Sequence, residues 1–215
     1  MEKKTFKTMT FGEKLEHIWE YYKLAILAVV FIVVVVVYAI VKVVTPEPDI
    51  VMNALLVNSN SFEVSEEDAF DSYLKENGYD IEHETINVNT ALYMDTENGG
   101  QASVTSYQAL IAMVMVGEID LLVADEGVIS MIGVGQGLLE MEEVLPPELL
   151  EKYQDRLYTV EDIETGATYI CGIRLSEGHL LQQNGYYGGE ILAAIPYSAV
   201  NKDVAKEVLL YLLGE

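Results

Sequence analysis

Polarity along the chain falls into two regimes. From Leu24 to Val41 no charge and no helix breaker interrupts "LAILAVVFIVVVVVYAIV". With Lys42, Val43 and Val44 the run spans about 30 Å at helical rise, the thickness of bilayer hydrocarbon. In lipid every backbone polar group must be paired within the segment, so Leu24 to Val44 predicts a transmembrane helix. A cleaved signal peptide has a shorter apolar region and a small-residue cleavage site. Here "KVVTPEPD" follows, which predicts an uncleaved anchor. Ahead of the span, "TFGEKLEHIWEYYK" places Phe11, Leu15, Ile18, Trp19 and Tyr22 on one helical face, with Thr10 and Glu13 at capping-box spacing. Residues 1–23 read as a cytoplasmic amphipathic lead-in whose Trp19, Tyr21 and Tyr22 match an interfacial aromatic belt.

After a stiff linker at 45–49, carrying Pro46 and Pro48, strand and helix periods alternate through 50–215. "DIVMNALLV" (49–57) predicts a buried strand. "SEEDAFDSYLKENG" (65–78) predicts a helix with Ser65 and Asp68 as a capping box and Phe70, Tyr73 and Leu74 facing inward. Residues 80–88 predict a second strand, 94–100 a turn-rich loop, 101–118 a helix and 119–125 a third strand. Asp125 stands as N-cap for the helix beyond it. Residues 146–158 predict a helix with proline in its first turn. Residues 158–175 predict a hairpin turning at 164–166, 188–201 a strand and loop, and 203–214 a terminal helix capped by Asn201 or Asp203. Strand, helix, strand, helix, strand at these lengths predicts an α/β domain with a parallel sheet.

Charge adds orientation and narrows the partners. The 215 residues hold 12 basic and 35 acidic side chains, for a net charge of −23. Six lysines and four glutamates fall in 1–44, which leaves 6 basic and 31 acidic residues, about −25, for 45–215. Lys3, Lys4, Lys7, Lys14 and Lys23 precede the span. The positive-inside rule therefore puts the N-terminus in the cytoplasm and the acidic domain outside the cell membrane. So acidic a surface repels phosphate backbones, and no nucleic-acid partner is expected.

In parallel sheets, ligands bind beyond the carboxyl ends of the strands. Those ends are Asn58 and Ser59, Asn89 and Thr90, and Asp125 and Glu126, and all six are candidate ligand-binding residues. Tyr186 and Tyr187, in "NGYYGG", are candidate aromatics for stacking on a ligand such as a sugar ring, with a plain surface turn as the alternative. Other chemistry is weakly supported. Cys171, the single cysteine, sits in the apolar "TYICGIRL" and reads as core. His17, His83 and His179 have no metal-site spacing, and "DTENGG" opens like a calcium loop but meets Ser106 where a carboxylate is needed. No cofactor and no metal are expected. Asp125 with Glu126 as a hydrolytic acid pair is the enzymatic alternative, set against the tendency of neighbouring strand residues to face apart.

Three stretches resemble extracellular solute-binding proteins of the type 2 periplasmic-binding-protein fold. These are "LIAMVMVGEIDLLVADEGVISMIGVGQGLLEMEEVLP", "PPELLEKYQDRLY" and "IPYSAVNKDVAKEVLLYLLG". The N-terminal "MTFGEKLEHIWEYYK" with its span is also similar to uncharacterised single-pass proteins of Gram-positive bacteria. The resemblance implies a reduced two-lobed domain, anchored in the membrane, that binds a small molecule or peptide without catalysis. The alternative is an interaction module for another envelope protein.

Overall fold

The structure is a computed structural model and describes residues 10–44, 48–60, 68–96 and 98–215. The lysines at 3, 4 and 7, the linker's Pro46 and the expected cap Ser65 lie outside the described residues, as do the side chains of Phe11, Glu13, Leu15, Ile18 and Tyr21. The chain falls into two compact units, Met1–Glu47 and Pro48–Glu215.

The first unit is one helix, α1 (Phe11–Val44), of 34 residues. The lead-in and the apolar run are continuous, because no glycine, proline or cap separates them. Its Tyr22–Val41 stretch of 20 residues is, among the described residues, the one helix long and apolar enough to cross a membrane. Its valines and isoleucines from Val29 to Val41 are exposed, as a lipid-facing helix requires.

The second unit is a three-layer α/β structure on one six-stranded sheet, ordered β2-β1-β3-β6-β5-β4. The strands are β1 (Asp49–Leu56), β2 (Glu84–Asn89), β3 (Leu121–Ala124), β4 (Leu157–Glu161), β5 (Thr168–Leu175) and β6 (Ile191–Ala194). β1 runs parallel to β2 and to β3, with Ala54 opposite Leu121. β6 is antiparallel to β3, and β5 and β4 continue antiparallel. The sheet is therefore mixed where a parallel one was expected. The short turn 162–167 returns β5 antiparallel to β4, the hairpin expected from the sequence, and β6 then pairs antiparallel with both β5 and β3. Nor does a second lobe separate out among the described residues, since every strand belongs to this sheet.

Alternation assigns the faces. Met52, Ala54 and Leu56 of β1, with Leu121 and Val123 of β3, point into one layer with α2 (Ala69–Glu76) and α8 (Lys202–Leu213). Leu55, Leu122 and Ala124 point into the other, with α3 (Gln101–Met115) and α4 (Glu126–Gly133). Each large apolar side chain so buried contributes about 1.5–3 kcal/mol. The short helices α5 (Met141–Val144), α6 (Pro147–Lys152) and α7 (Leu180–Gln183) complete the connections.

Several boundaries differ from the periodicity reading. α2 starts after Asp68, whose carboxylate caps Phe70 N. Residues 80–83 form a turn in which His83 N and Glu84 N both donate to Asp80 O, so β2 starts only at Glu84. α6 ends at Lys152 and β4 begins at Leu157, because Arg156 is drawn onto Arg174 of β5 by a backbone bond and a 2.8 Å side-chain bond. Asn201 occupies the N-cap position of α8 but gives its amide to Asp120. Asp120 is fully buried and accepts from the backbone N–H groups of Asn53, Val200 and Asn201 at 2.7–2.9 Å. A buried carboxylate with four donors is well satisfied, and it ties the β6–α8 loop to the middle of β1 and the amino end of β3.

Candidate functional site

The chain passes from β1 through α2 to β2 on one side, then crosses through α3 to β3 on the other side of β1. α2 and α3 cover opposite faces. The order therefore reverses between β1 and β3, and a crevice opens beyond their carboxyl ends. Asn58 follows β1 and Asp125 follows β3, so they flank this crevice.

Asn58 stands in the left-handed region, φ 58°. That conformation turns its amide across the crevice. Nδ2 donates to Asp125 Oδ2 at 2.7 Å and to Met94 O at 2.8 Å, while Oδ1 accepts from Met94 N at 2.7 Å. Asp125 Oδ1 accepts from Val128 N at 3.0 Å, which makes Asp125 the N-cap of α4 as its position predicted. One side chain thus fastens the loop after β2 to the start of α4. Gly127 completes the closure, because a Cβ there would collide with the Thr96 side chain. The result is a cleft of about 490 Å³ lined by Asn58, Tyr93, Met94, Asp95, Thr96, Asp125, Glu126 and Gly127. A second cleft of about 230 Å³ shares Met94, Asp95 and Thr96 and continues to Val104, Tyr107 and Met131.

Of the eight sequence-derived candidates, the structure brings Asn58, Asp125 and Glu126 together. Glu126 is exposed, with Arg174 Nη2 at 3.4 Å on its outer side. Ser59 turns back to donate to Leu56 O at 3.1 Å. Asn89 accepts from Ala91 N in a local turn and lies against a crevice of only about 20 Å³ with Asn53 and Asn87. Thr90 is half-buried and does not line the cleft.

Tyr186 and Tyr187 are a correction. Whether stacking on a ligand or sitting in a surface turn, they were expected to be accessible, yet they are 4% and 9% exposed. The Tyr187 hydroxyl sits 3.0 Å from both Val57 O and Val123 O, pinning the last residues of β1 and β3 from beneath. Burial, then the Asp125 charge, pushes its phenol far above the usual range. Tyr186 donates to Asp68 Oδ2 at 2.6 Å and so supports the start of α2.

The lining residues missed from sequence are Tyr93 to Thr96 and Gly127. Their one signal was position: a loop leaving a strand at the same sheet edge. Tyr93 stands 67% exposed at the rim. Asp95 Oδ1 accepts from Asn98 N at 2.9 Å, an Asx turn inside the stretch that opened like a calcium loop. Among the described residues no three His, Cys, Asp or Glu side chains converge as metal ligands. His83 is exposed in the 80–83 turn with Asp80 2.9 Å away, and His179 is buried as the N-cap of α7.

A further cavity, about 460 Å³, opens at the opposite end of the sheet between the β4–β5 turn and the loop after β6. Its buried acid, Asp162, is spent on Thr165 N and Oγ1 at 2.7 and 2.6 Å, which hold its carboxyl below the ordinary range. The switch-point cleft is the better candidate because it lies beyond the carboxyl ends of the parallel strands β1 and β3, where the strand order reverses. Comparison with known protein families, with curated proteins and with solved structures finds no match for this chain.

Proposed function

We propose that the protein is a single-pass membrane protein, N-terminus in the cytoplasm, whose Pro48–Glu215 unit is displayed outside the cell and binds a small molecule or peptide without catalysis. The observation that carries this reading is the cleft at the reversal of strand order, where Asn58, Asp125 and the loop 93–96 meet. The apolar α1 and the lysines before it support the topology. The resemblance to extracellular solute-binding proteins, in reduced form, agrees with a ligand at the carboxyl ends of the strands. Thermal-shift measurements on the full chain against sugars, amino acids and short peptides test it; stabilisation by one class is expected, and none by any class would end the proposal. Protease added to intact cells should remove the Pro48–Glu215 unit.

A second reading, docking to another envelope protein, has its own observation. Among the described residues of this unit, Ile50, Ile81, Met115, Val116, Ile163, Tyr197 and Val200 are large exposed apolar residues at the opposite end of the sheet, against Tyr93 and Val104 at the cleft end. Exposed apolar side chains that join into one patch are a common mark of protein contact. Cross-linking in intact cells from a photoreactive residue at 116 or 200 would reveal the partner, and its absence would leave the ligand reading alone.

A further inference from the structure

The two adjoining clefts differ in chemistry, and the difference defines a ligand class for the site proposed above, on which this inference rests. The larger compartment carries the carboxylates of Asp95, Asp125 and Glu126. The smaller one is walled by Met94, Val104, Tyr107 and Met131, with the glycines 99 and 100 at its mouth. No lysine, arginine or histidine lines either compartment among the described residues, and the Arg174 guanidinium, 3.4 Å from Glu126, is held in an ion pair with it. Met94, Asp95 and Thr96 belong to both, so a single molecule can place one end in each.

An anion entering the larger compartment would be desolvated against three carboxylates, and the cation beside it, Arg174, is already paired with Glu126. A neutral hydroxyl would gain ordinary hydrogen bonds. An ammonium or guanidinium would gain charge-assisted ones, which are roughly twice as strong. The smaller compartment rewards an apolar group of modest size and offers little to a polar one. Its two methionines adapt their shape to such a group and make favourable sulfur–aromatic contacts.

We propose that this site takes a cationic amphiphile: a primary ammonium or guanidinium carried a few bonds from a compact apolar or aromatic group. The ammonium lies among Asp95, Asp125 and Glu126, and the apolar group lies between Tyr107 and Met131.

The test uses the full chain in nanodiscs of zwitterionic phospholipid, with ¹³C-methyl methionine labelling so that Met94 and Met131 report the site directly. The probes are phenethylamine, 2-phenylethanol, 3-phenylpropionate and ethylamine, which vary the head with the tail held, and then remove the tail. Phenethylamine should shift both methyl signals and bind at least tenfold tighter than 2-phenylethanol or ethylamine, with no binding by 3-phenylpropionate. Glu126→Gln should weaken the amine and leave the alcohol unchanged. Val104→Trp, at a half-exposed helix position, should weaken both aromatic probes. Equal binding of alcohol and amine overturns the cationic assignment while leaving the cleft as a site. No methyl shift with any of the four overturns the assignment together with the reading of the cleft itself.

Discussion

Asn58 carries the geometry of the cleft on one side chain, and its backbone conformation is part of that function. A non-glycine residue at φ 58° is uncommon, and asparagine tolerates it better than most. Asn58→Gly keeps the backbone but loses the three bonds to Met94 and Asp125. We expect a loss of about 1–3 kcal/mol in urea unfolding, with Asn58→Ala worse because it adds backbone strain. Cys171 shows the opposite case, a residue with chemistry that its surroundings suppress. It is fully buried, and burial pushes its thiol up to about 12. It should resist thiol reagents in the native protein and react fully once the chain is unfolded in denaturant.

At the scale of elements, polar side chains decide where strands and helices stop. Tyr187 joins the ends of β1 and β3 through one hydroxyl shared between two carbonyls. Tyr187→Phe leaves both acceptors buried, so thermal unfolding should report a loss of about 1–3 kcal/mol with the ring packing intact. His179 caps α7 in the neutral form: Nδ1 accepts from Gln182 N at 3.2 Å, and Nε2 donates to Gly189 O at 3.0 Å. Burial lowers its pKa below the ordinary value of 6.5. The unfolded chain therefore binds this proton at higher pH than the folded one. Stability from the cap is present above 6.5 and declines as pH falls from there towards the folded value. His179→Gln should flatten the fall in stability between about pH 7 and 5.5, read by denaturant titration at each pH.

At the scale of the whole molecule, the Pro48–Glu215 unit is built on one sheet with a core on each face. A fragment beginning at Pro48 should therefore fold by itself, with a single cooperative thermal transition. Two separated transitions would show that the parallel and antiparallel halves of the sheet are independent. The contrast in charge between the ends of the chain belongs to this scale as well. It bears on topology and on which ligands approach, not on the fold.

The amino-acid sequence alone determined the apolar helix, the order of the strands and of the longer helices though not the short α5 and α7, the N-cap at Asp125 and the buried state of Cys171. Each of these is local: a hydrophobic run, a period of two or 3.6, a capping residue before an apolar segment. It also located Asn58, Asp125 and Glu126 at one sheet edge, because strand ends follow from strand positions. Only the tertiary structure decided that β6 joins the hairpin to β3 in antiparallel sense, the inward turn of Tyr186 and Tyr187, and the contribution of Tyr93 to Thr96. Those outcomes depend on partners distant in sequence: Val57 and Val123 for Tyr187, Asp68 for Tyr186, Asn58 for Met94. A tyrosine between glycines fits a surface turn or a buried anchor equally well until the carbonyls that receive its hydroxyl are in place.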